Sequence, residues 1–419
     1  MSNTTARHSP MTFVLWTMLI CGCLIGLISF GVRSSFGLFV NPISGPTGFN
    51  FGRESFAIAL ALQNLFWGIG QPIAGALSDK YGPWRVLAGG GVLFSAGLAL
   101  MSVSSTPNSF VLTAGILVGL GMSGAGHNTV IAAFAQLMPV DRRPWAMGLA
   151  TSMASLGQFM VVPLGQAFIE TYGWMTAILI LAIAMATTPA LALSLRTKNK
   201  GKGAAPPTTS TANSFRESLT QAFGHSSYWL LLGGFFVCGF QLAFITVHFP
   251  PYLSDMGISA TVASWGLAMI GLFNVVGSYM SGPLSARWSR KVLLSLIYLL
   301  RATVITIFLL SPLSNASVLI FGAAMGVLWL STVPPTAQLV GVMFGNRYLS
   351  MLFGFVFLSH QIGGFLGVWL GGKIYAETGS YMPIWWGGVV LAVIASLLHM
   401  PIREKLWTPK AVAHEPAAS

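Results

Sequence analysis

Twelve apolar stretches, each of about 20 residues, follow one another along almost the whole chain. Each stretch is long enough to cross a hydrocarbon core of roughly 30 Å as a helix. With 54% hydrophobic and 7% charged residues, the chain has too little polar surface for a water-soluble fold. The sequence therefore predicts an all-α membrane protein with twelve transmembrane helices. We number them α1 to α12, with predicted ranges 13–41, 55–78, 86–104, 110–138, 145–169, 174–195, 228–253, 260–286, 292–312, 316–344, 349–373 and 382–400.

A basic stretch rich in Pro, Ser, Thr and Gly interrupts the apolar pattern at residues 196–225. Such a composition cannot bury a core, so it predicts a flexible cytoplasmic linker. The linker divides the chain into two six-helix bundles, at 1–195 and 226–402, with a cytoplasmic tail at 403–419.

The two halves are related in sequence at an offset near 207 residues. Four glycines of α5 and the connection after it, Gly148, Gly157, Gly165 and Gly173, recur in and after α11 as Gly354, Gly363, Gly371 and Gly379. Repeats of this kind predict two pseudo-symmetric bundles, an architecture of transporters that bind substrate near the middle of the membrane.

Basic residues collect on the cytoplasmic side of membrane proteins. If the chain starts inside, 17 of the 21 Lys and Arg residues lie on that side, and only Arg53 and Lys373 lie outside. The pattern predicts a multi-pass protein of the plasma membrane, here a bacterial inner membrane, with both termini in the cytoplasm. The net charge of +12 thus indicates topology rather than binding of nucleic acid.

The interior of the predicted bundle has positive but no negative side chains. All nine acidic residues lie at or beyond the ends of apolar stretches, whereas Arg33 and Arg301 lie inside α1 and α9. An ionised side chain at this depth costs roughly 2.5–3.5 kcal/mol, so both arginines need a specific role. A cationic interior without carboxylates predicts an anionic substrate.

Arg33 is the strongest candidate for the substrate anchor. The internal repeat pairs it with Gln241, which lies roughly 20 Å into α7 and therefore near the middle of the membrane. A guanidinium presents forked donors that suit bidentate binding of a carboxylate. The alternative role is structural, with the guanidinium bonded to carbonyls at a helix end.

Further polar residues inside the apolar stretches complete the predicted site. Histidine titrates near neutral pH and can carry a coupled proton, a role predicted for His360 and His248. The alternative for each histidine is packing with a hydrogen bond. The predicted substrate-binding residues are Arg33, His127, Asn128, Gln241, Asn274, Arg301, His360 and Gln361.

The sequence contains no enzyme motif. It has no P-loop, no HExxH, no Walker lysine and no paired carboxylates within the membrane, so catalysis and ATP-driven pumping are not expected. The cysteines Cys21, Cys23 and Cys238 lie within apolar stretches and are expected to pack as small apolar residues. We therefore predict no metal site and no cofactor.

The loop after α2 reads GALSDKYGPWR, from Gly75 to Arg85. It resembles the signature of the major facilitator superfamily, G-x-x-x-D-[R/K]-x-G-x-[R/K]. The resemblance implies a gating motif formed by Gly75, Asp79, Lys80, Gly82 and Arg85, in which Gly75 allows close helix packing. The second copy starts at Gly282 and has Ala286 in place of the acid, which predicts a weaker latch in the second bundle.

Within that superfamily, the chain is similar to the branch of monocarboxylate transporters and oxalate:formate antiporters. The similarity extends over nearly the whole chain and is carried by the segments 141–174, 235–259 and 357–375. It implies transport of small carboxylates by proton symport or anion exchange. Since α9 is usually peripheral in this superfamily, bracing between helices is favoured for Arg301. Members of the branch often have an arginine in the eighth helix, where this chain has Asn274.

These observations predict a monomeric secondary transporter that moves a small organic anion across a lipid bilayer by alternating access, with protons as a candidate co-substrate. The alternatives are an exporter of amphipathic drugs, a siderophore carrier and, in another class, a non-transporting membrane sensor. Drug-cation exporters commonly use acidic residues in the membrane, which this chain lacks.

Overall fold

The secondary structure is helical throughout the part of the chain that the computed structural model describes. The described residues are 11–46, 48–139, 141–196, 215–345 and 349–406, without the side chains of Asp79, Pro144, Phe215 and Ser350. The helices are α1 Phe13–Ser44, α2 Gly52–Tyr81, α3 Pro83–Met101, α4 Pro107–Leu137, α5 143–172, α6 174–193, α7 Ser226–Asp255, α8 Ala260–Arg287, α9 Arg290–Leu310, α10 Asn315–Phe344, α11 Leu349–Thr378 and α12 Met382–His399.

The helices α5 and α6 form an almost continuous run. Eleven described stretches are long and apolar enough to cross a membrane, and one of them, Trp145–Leu193, has 49 residues. Gly173 interrupts that stretch with a φ of 79°, a left-handed conformation that glycine adopts without a steric cost. Dividing the stretch there gives the twelve helices that the sequence predicts.

Two equivalent helices, α4 and α10, are each broken near the middle. Helix α4 is interrupted at Gly126, whose extended backbone separates Val118–Ala125 from His127–Leu137. Helix α10 is interrupted between Leu328 and Val333. The predicted ranges of α4 and α10 run across both breaks, although Pro334 and Pro335, directly after the break in α10, predict a kink there.

The internal repeat is visible in the packing of each bundle. A side chain at Gly119 of α4 would meet the backbone carbonyl of Gln63 in α2, and one at Gly326 of α10 would meet that of Ile270 in α8. Each residue of the first pair lies 207 positions before its counterpart in the second. The glycines therefore allow the same close approach of two helices in both halves.

The two bundles meet mainly through α2 against α11 and α5 against α8. We call the end of the molecule that carries Lys80, Arg85, Arg143 and Arg287 the basic end. At the opposite end, polar side chains join the bundles.

We call that set the polar latch, and it consists of Arg53, Asp255, Glu170 and Thr261. Arg53 of α2 donates two hydrogen bonds to Asp255 of α7, at 2.5 and 2.7 Å. Its guanidinium also lies over the ring of Tyr375 at 4.3 Å. The Thr261 hydroxyl of α8 donates to Glu170 of α5 at 2.9 Å.

The predicted linker at 196–225 is not irregular throughout. Phe215–Phe223 form an amphipathic helix, and Phe223 packs on Tyr228 and Phe355 with ring centroids 5.5 and 5.4 Å apart. The prediction of flexibility is therefore wrong for these nine residues, because their apolar face has a place to pack. Residues 197–214 of the linker lie outside the described part.

The first residues of the predicted tail are attached to the second bundle. Glu404 accepts hydrogen bonds from the Ser289 hydroxyl at 2.6 Å and from the Lys291 backbone N–H at 2.7 Å. It also pairs with Arg290 at 3.5 Å. The carboxylate thus caps the start of α9. Burial raises the pKa of Glu404, but these hydrogen bonds and the Arg290 charge outweigh it and hold the pKa below its usual value.

Replacing Glu404 with Gln should therefore lower the melting temperature of the purified protein at pH 7, by roughly 2 °C, since a lost cap costs about 1 kcal/mol. Because the folded-state pKa lies below the unfolded one, this contribution is complete above the unfolded pKa and is lost as the pH falls through the folded pKa. The difference between wild type and E404Q should accordingly shrink in acid. A matched control is Glu377→Gln, since Glu377 is more exposed and pairs with Lys373 only at 3.9 Å. Equal losses in both variants would contradict the capping role.

Candidate functional site

A cavity of about 750 Å³ lies between the two bundles. Residues from α1, α2, α4 and α5 of the first bundle and α7, α8, α10 and α11 of the second line it. Its lining extends to Trp145 and Gly282, which lie on the basic-end halves of α5 and α8. The cavity therefore reaches toward the basic end, whereas the polar latch joins the bundles at the opposite end.

Arg33 places its guanidinium in the wall of this cavity. It lies in the last turn of the regular part of α1, Phe13–Ser34, just before the helix tightens to a 3-10 turn. The guanidinium stacks on Trp67 of α2, 4.6 Å from the ring centroid, and lies 5.8 Å from that of Phe30. Its N–H groups make no hydrogen bond or ion pair with any described residue. A cation with unused donors at the edge of its plane is suited to bind a carboxylate.

The break in α4 brings a helix N-terminus to the same wall. The segment His127–Leu137 starts at the cavity, where His127 and Asn128 are lining residues, and no side chain caps its first turn. The ring centroids of His127 and Phe30 lie 4.9 Å apart, and His127 also interacts electrostatically with Arg33. The free N–H groups and the positive end of a helix dipole favour negative charge at this point.

The fixed charge of the cavity wall is positive. Arg33 is the single Lys, Arg, Asp or Glu side chain among the described residues that line the cavity. The remaining polar lining consists of side chains without a fixed charge, among them His127, His360 and Tyr279. Aromatic and aliphatic side chains supply most of the rest. The arrangement can hold one negative charge next to a large apolar surface.

The cavity brings together four of the predicted substrate-binding residues. Arg33, His127 and Asn128 lie on the first bundle, and His360 of α11 faces them from the second. His360 packs between Phe235 and Phe357, and its Nδ1 lies 2.9 Å from the side-chain oxygen of Gln361.

Three predicted substrate-binding amides lie outside the lining and have partners in the protein. Gln241 donates to the carbonyl of Gly388 at 3.0 Å. Asn274 donates to the Ser155 hydroxyl and accepts from the Leu330 backbone N–H, so it joins α8, α5 and the broken part of α10. Gln361 is fully buried against Gly68 of α2. Gln241 and Asn274 therefore act as bonds between helices, whereas Gln361 pairs with the neighbouring His360 of its own helix.

Arg301 also lies outside the cavity lining and is fully buried. Its guanidinium donates to the carbonyls of Leu328 and Trp329, which the break in α10 leaves without helical partners, and contacts the Cys238 sulfur at 3.3 Å. The arginine therefore braces the broken helix. The sequence predicts bracing between helices for Arg301 and a kink in α10 at Pro334 and Pro335, but not that the arginine satisfies the carbonyls of that break.

His248, the second residue predicted to carry a coupled proton, is also fully buried. Its Nε2 lies 2.8 Å from the carbonyl of Val368, to which it must donate, and its ring packs between Phe244 and Tyr381. Its position is that of a packing histidine between α7, α11 and α12.

The predicted gating motif lies at the basic end of α2. Gly82 ends the helix with a φ of 88°, and the Arg85 guanidinium donates to the carbonyl of Tyr81 at 3.0 Å. Lys80 lies over the Tyr81 ring at 5.1 Å. The side chain of Asp79 lies outside the described residues. In this structure, a side chain at Gly75 would meet open space rather than a neighbouring helix.

Sequence reasoning missed two features of this region. An aromatic residue in an apolar stretch can shape a pocket, pack or contact lipid, with the last two favoured for Trp67, yet it stacks on Arg33 and lines the cavity. The pairing of Arg53 with Asp255 was not predicted. The available signal was the placement of two opposite charges at the same end of α2 and α7, in a chain with few acidic residues.

Comparisons with known proteins agree with this architecture. The family model of the Major Facilitator Superfamily matches residues 18–368 and 231–417. The uncharacterized MFS-type transporter YcxA of Bacillus subtilis is 25% identical over 370 residues, covering 84% of this chain and 86% of the relative. Monocarboxylate transporter 13 of Rattus norvegicus is 24% identical over 376 residues, covering 87% and 83%. The oxalate:formate antiporter of Oxalobacter formigenes is 23% identical over 368 residues, covering 87% and 86%.

A solved structure shares the fold at low sequence identity. A bacterial homologue of the human lysosomal transporter Spinster, in an inward-facing and unoccupied conformation, matches with a TM-score of 0.74 and 15% identity, covering 96% of this chain and 100% of that one. The predicted fold class and superfamily are thus confirmed, and two of these relatives are of the branch that the sequence resembles. The chain belongs to the Major Facilitator Superfamily and is a membrane transporter rather than an enzyme.

Proposed function

We propose that this protein is a secondary active transporter of a small organic anion whose carboxylate binds to Arg33. The observation that carries the proposal is the free guanidinium of Arg33 in a cavity whose described lining contains no acidic side chain. The uncapped N-terminus of His127–Leu137 adds a second attraction for negative charge. Monocarboxylate transporters and an oxalate:formate antiporter among the relatives support the same class of substrate.

The structure corresponds, in this proposal, to the inward-facing state of an alternating-access cycle. The positive-inside pattern supports a cytoplasmic position for the basic end, so the cavity would open inward while the polar latch would close the outer end. Opening of the latch and closure around 75–85 and 282–291 would expose Arg33 to the other side. The protein would act as a monomer in a plasma membrane, with both termini in the cytoplasm.

Coupling would run by proton symport or by anion exchange. His360 is the better of the two predicted proton carriers, because it lines the cavity opposite Arg33 whereas His248 is packed away from it. An exporter of amphipathic compounds is the second candidate, favoured by the apolar lining. The free arginine distinguishes the two, since an exporter of neutral or cationic compounds would gain nothing from it.

Changing Arg33 tests the anchor. Arg33→Gln should weaken anion binding by roughly tenfold or more, because a buried charge-assisted hydrogen bond is lost. Arg33→Lys keeps the positive charge but lacks the paired donors of the guanidinium, so it should retain part of the affinity. Calorimetry on purified protein in nanodiscs measures both. Lys373→Gln, which removes a charge far from the cavity, is the control. Unchanged affinity in R33Q would remove Arg33 as the anchor, and misfolding of both Arg33 variants would support a structural role.

Changing His360 tests the coupling. His360→Ala should flatten the pH dependence of net uptake into proteoliposomes while sparing exchange of substrate for substrate, since exchange moves no net proton. His248→Gln, at the packing histidine, should keep the wild-type pH profile at whatever rate its folding permits. A wild-type profile in H360A would mean that coupling does not use this histidine.

Breaking the latch tests the conformational cycle. Arg53→Asp or Asp255→Arg should separate the outer ends of α2 and α7, because each change turns an attraction into a repulsion. Electron paramagnetic resonance between spin labels at the exposed positions Glu54 and Met256 measures that separation. The double exchange should restore the short distance, and Lys373→Gln should leave it unchanged. A short distance in both single variants would show that the latch does not hold the outer end closed.

A further inference from the structure

We infer that the transported anion is a monocarboxylate with an aromatic body, rather than a small or doubly charged acid. This inference rests on the proposed binding of a carboxylate to Arg33. It concerns what the surroundings of Arg33 accept beyond the charged group itself.

The guanidinium lies within a wall of rings. Trp67 lies beneath it at 4.6 Å and Phe30 beside it at 5.8 Å. Phe357 of the second bundle meets Trp67 edge to face, with centroids 5.3 Å apart, and His127 packs against Phe30. A carboxylate binds in the plane of a guanidinium, at its edge. The body of the substrate must then lie along the same rings.

The charge of the cavity matches one negative group. Arg33 is the single fixed cation among the described lining residues. Arg301 lies outside the lining and donates to the carbonyls at the break in α10. A dicarboxylate would have only the uncapped N-terminus of His127–Leu137 for its second carboxylate, and a helix N-terminus carries about half an elementary charge, so the second charge would be compensated incompletely. The cavity therefore favours a monoanion.

The size and surface of the cavity favour an apolar body. Across from Arg33, the second bundle contributes mainly apolar groups such as Leu242, Trp329, Leu330 and Phe353 to a space of about 750 Å³. Formate or acetate would leave these groups against water, whereas an aromatic ring would cover them. Aromatic rings also pack favourably edge to face with other rings.

Competition with a small panel of ligands tests this inference. Phenylacetate, acetate, oxalate and the neutral phenylacetamide would be compared as inhibitors of labelled phenylacetate binding to purified full-length protein in nanodiscs. Phenylacetate should compete at least about tenfold better than acetate, as expected for burial of an aromatic ring. Oxalate and phenylacetamide should both be weak.

The panel separates the two levels of the proposal. If phenylacetamide competes as well as phenylacetate, the anion site itself is wrong. If phenylacetamide is weak but acetate or oxalate matches phenylacetate, the anion site stands and the aromatic preference is overturned. Absence of any binding of labelled phenylacetate, with binding of labelled acetate or oxalate, would also overturn it.

A variant of the ring wall gives an independent test. Phe357→Leu should weaken phenylacetate severalfold and leave acetate almost unchanged, since only the aromatic body contacts that ring. Trp265→Leu, at an exposed aromatic of α8 outside the cavity lining, should change neither. Equal weakening of both ligands in F357L would indicate a structural role and contradict the inference. Phe353→Leu supplies the same comparison if F357L does not fold.

Discussion

A broken helix inside a membrane exposes backbone groups that water cannot reach, and the two broken helices of this protein meet that constraint in opposite ways. In α10, the carbonyls of Leu328 and Trp329 accept hydrogen bonds from Arg301, and the Leu330 N–H donates to the side-chain oxygen of Asn274. In α4, the first turn after Gly126 has no side-chain cap and faces the cavity. One break is thus completed by the protein, whereas the other leaves its positive end available to a ligand.

The two membrane arginines follow the same division. Arg301 is fully buried, lies outside the cavity lining and donates its hydrogen bonds to backbone carbonyls. Its charge is therefore not available to a ligand in the cavity. Arg33 stacks on Trp67 and keeps its donors free. Because burial of an ion is costly unless it is hydrogen-bonded, the retention of an unpaired arginine at this depth is understandable if a substrate supplies the missing partner.

The contact between the bundles combines close packing with a small number of polar bonds. Gln158 donates to the Leu267 carbonyl and Asn274 to the Ser155 hydroxyl, both across the α5–α8 contact. Arg53 and Asp255 add an ion pair at the end opposite the basic end. Such bonds individually contribute little, about 1 kcal/mol for a neutral pair. The two bundles can therefore lose such a contact at one end and form an equivalent contact at the other end with little net change in free energy. Alternating access requires such an exchange.

The sequence by itself determined the twelve helices, the two related bundles and the presence of two arginines inside apolar stretches that contain no acidic residue. The length of an apolar stretch, the spacing of a repeat and the position of a charge can all be taken directly from the order of the residues. Of the substrate-binding residues predicted from the sequence, Arg33, His127, Asn128 and His360 line the cavity. For Gln241, Asn274, Gln361 and His248 the sequence did not decide between substrate binding and packing, since a polar residue in an apolar helix gives the same pattern whether it faces a cavity or a neighbouring helix. Only the tertiary structure decided which arginine is free, because that depends on where α4 and α10 break and on which side chains reach the exposed carbonyls.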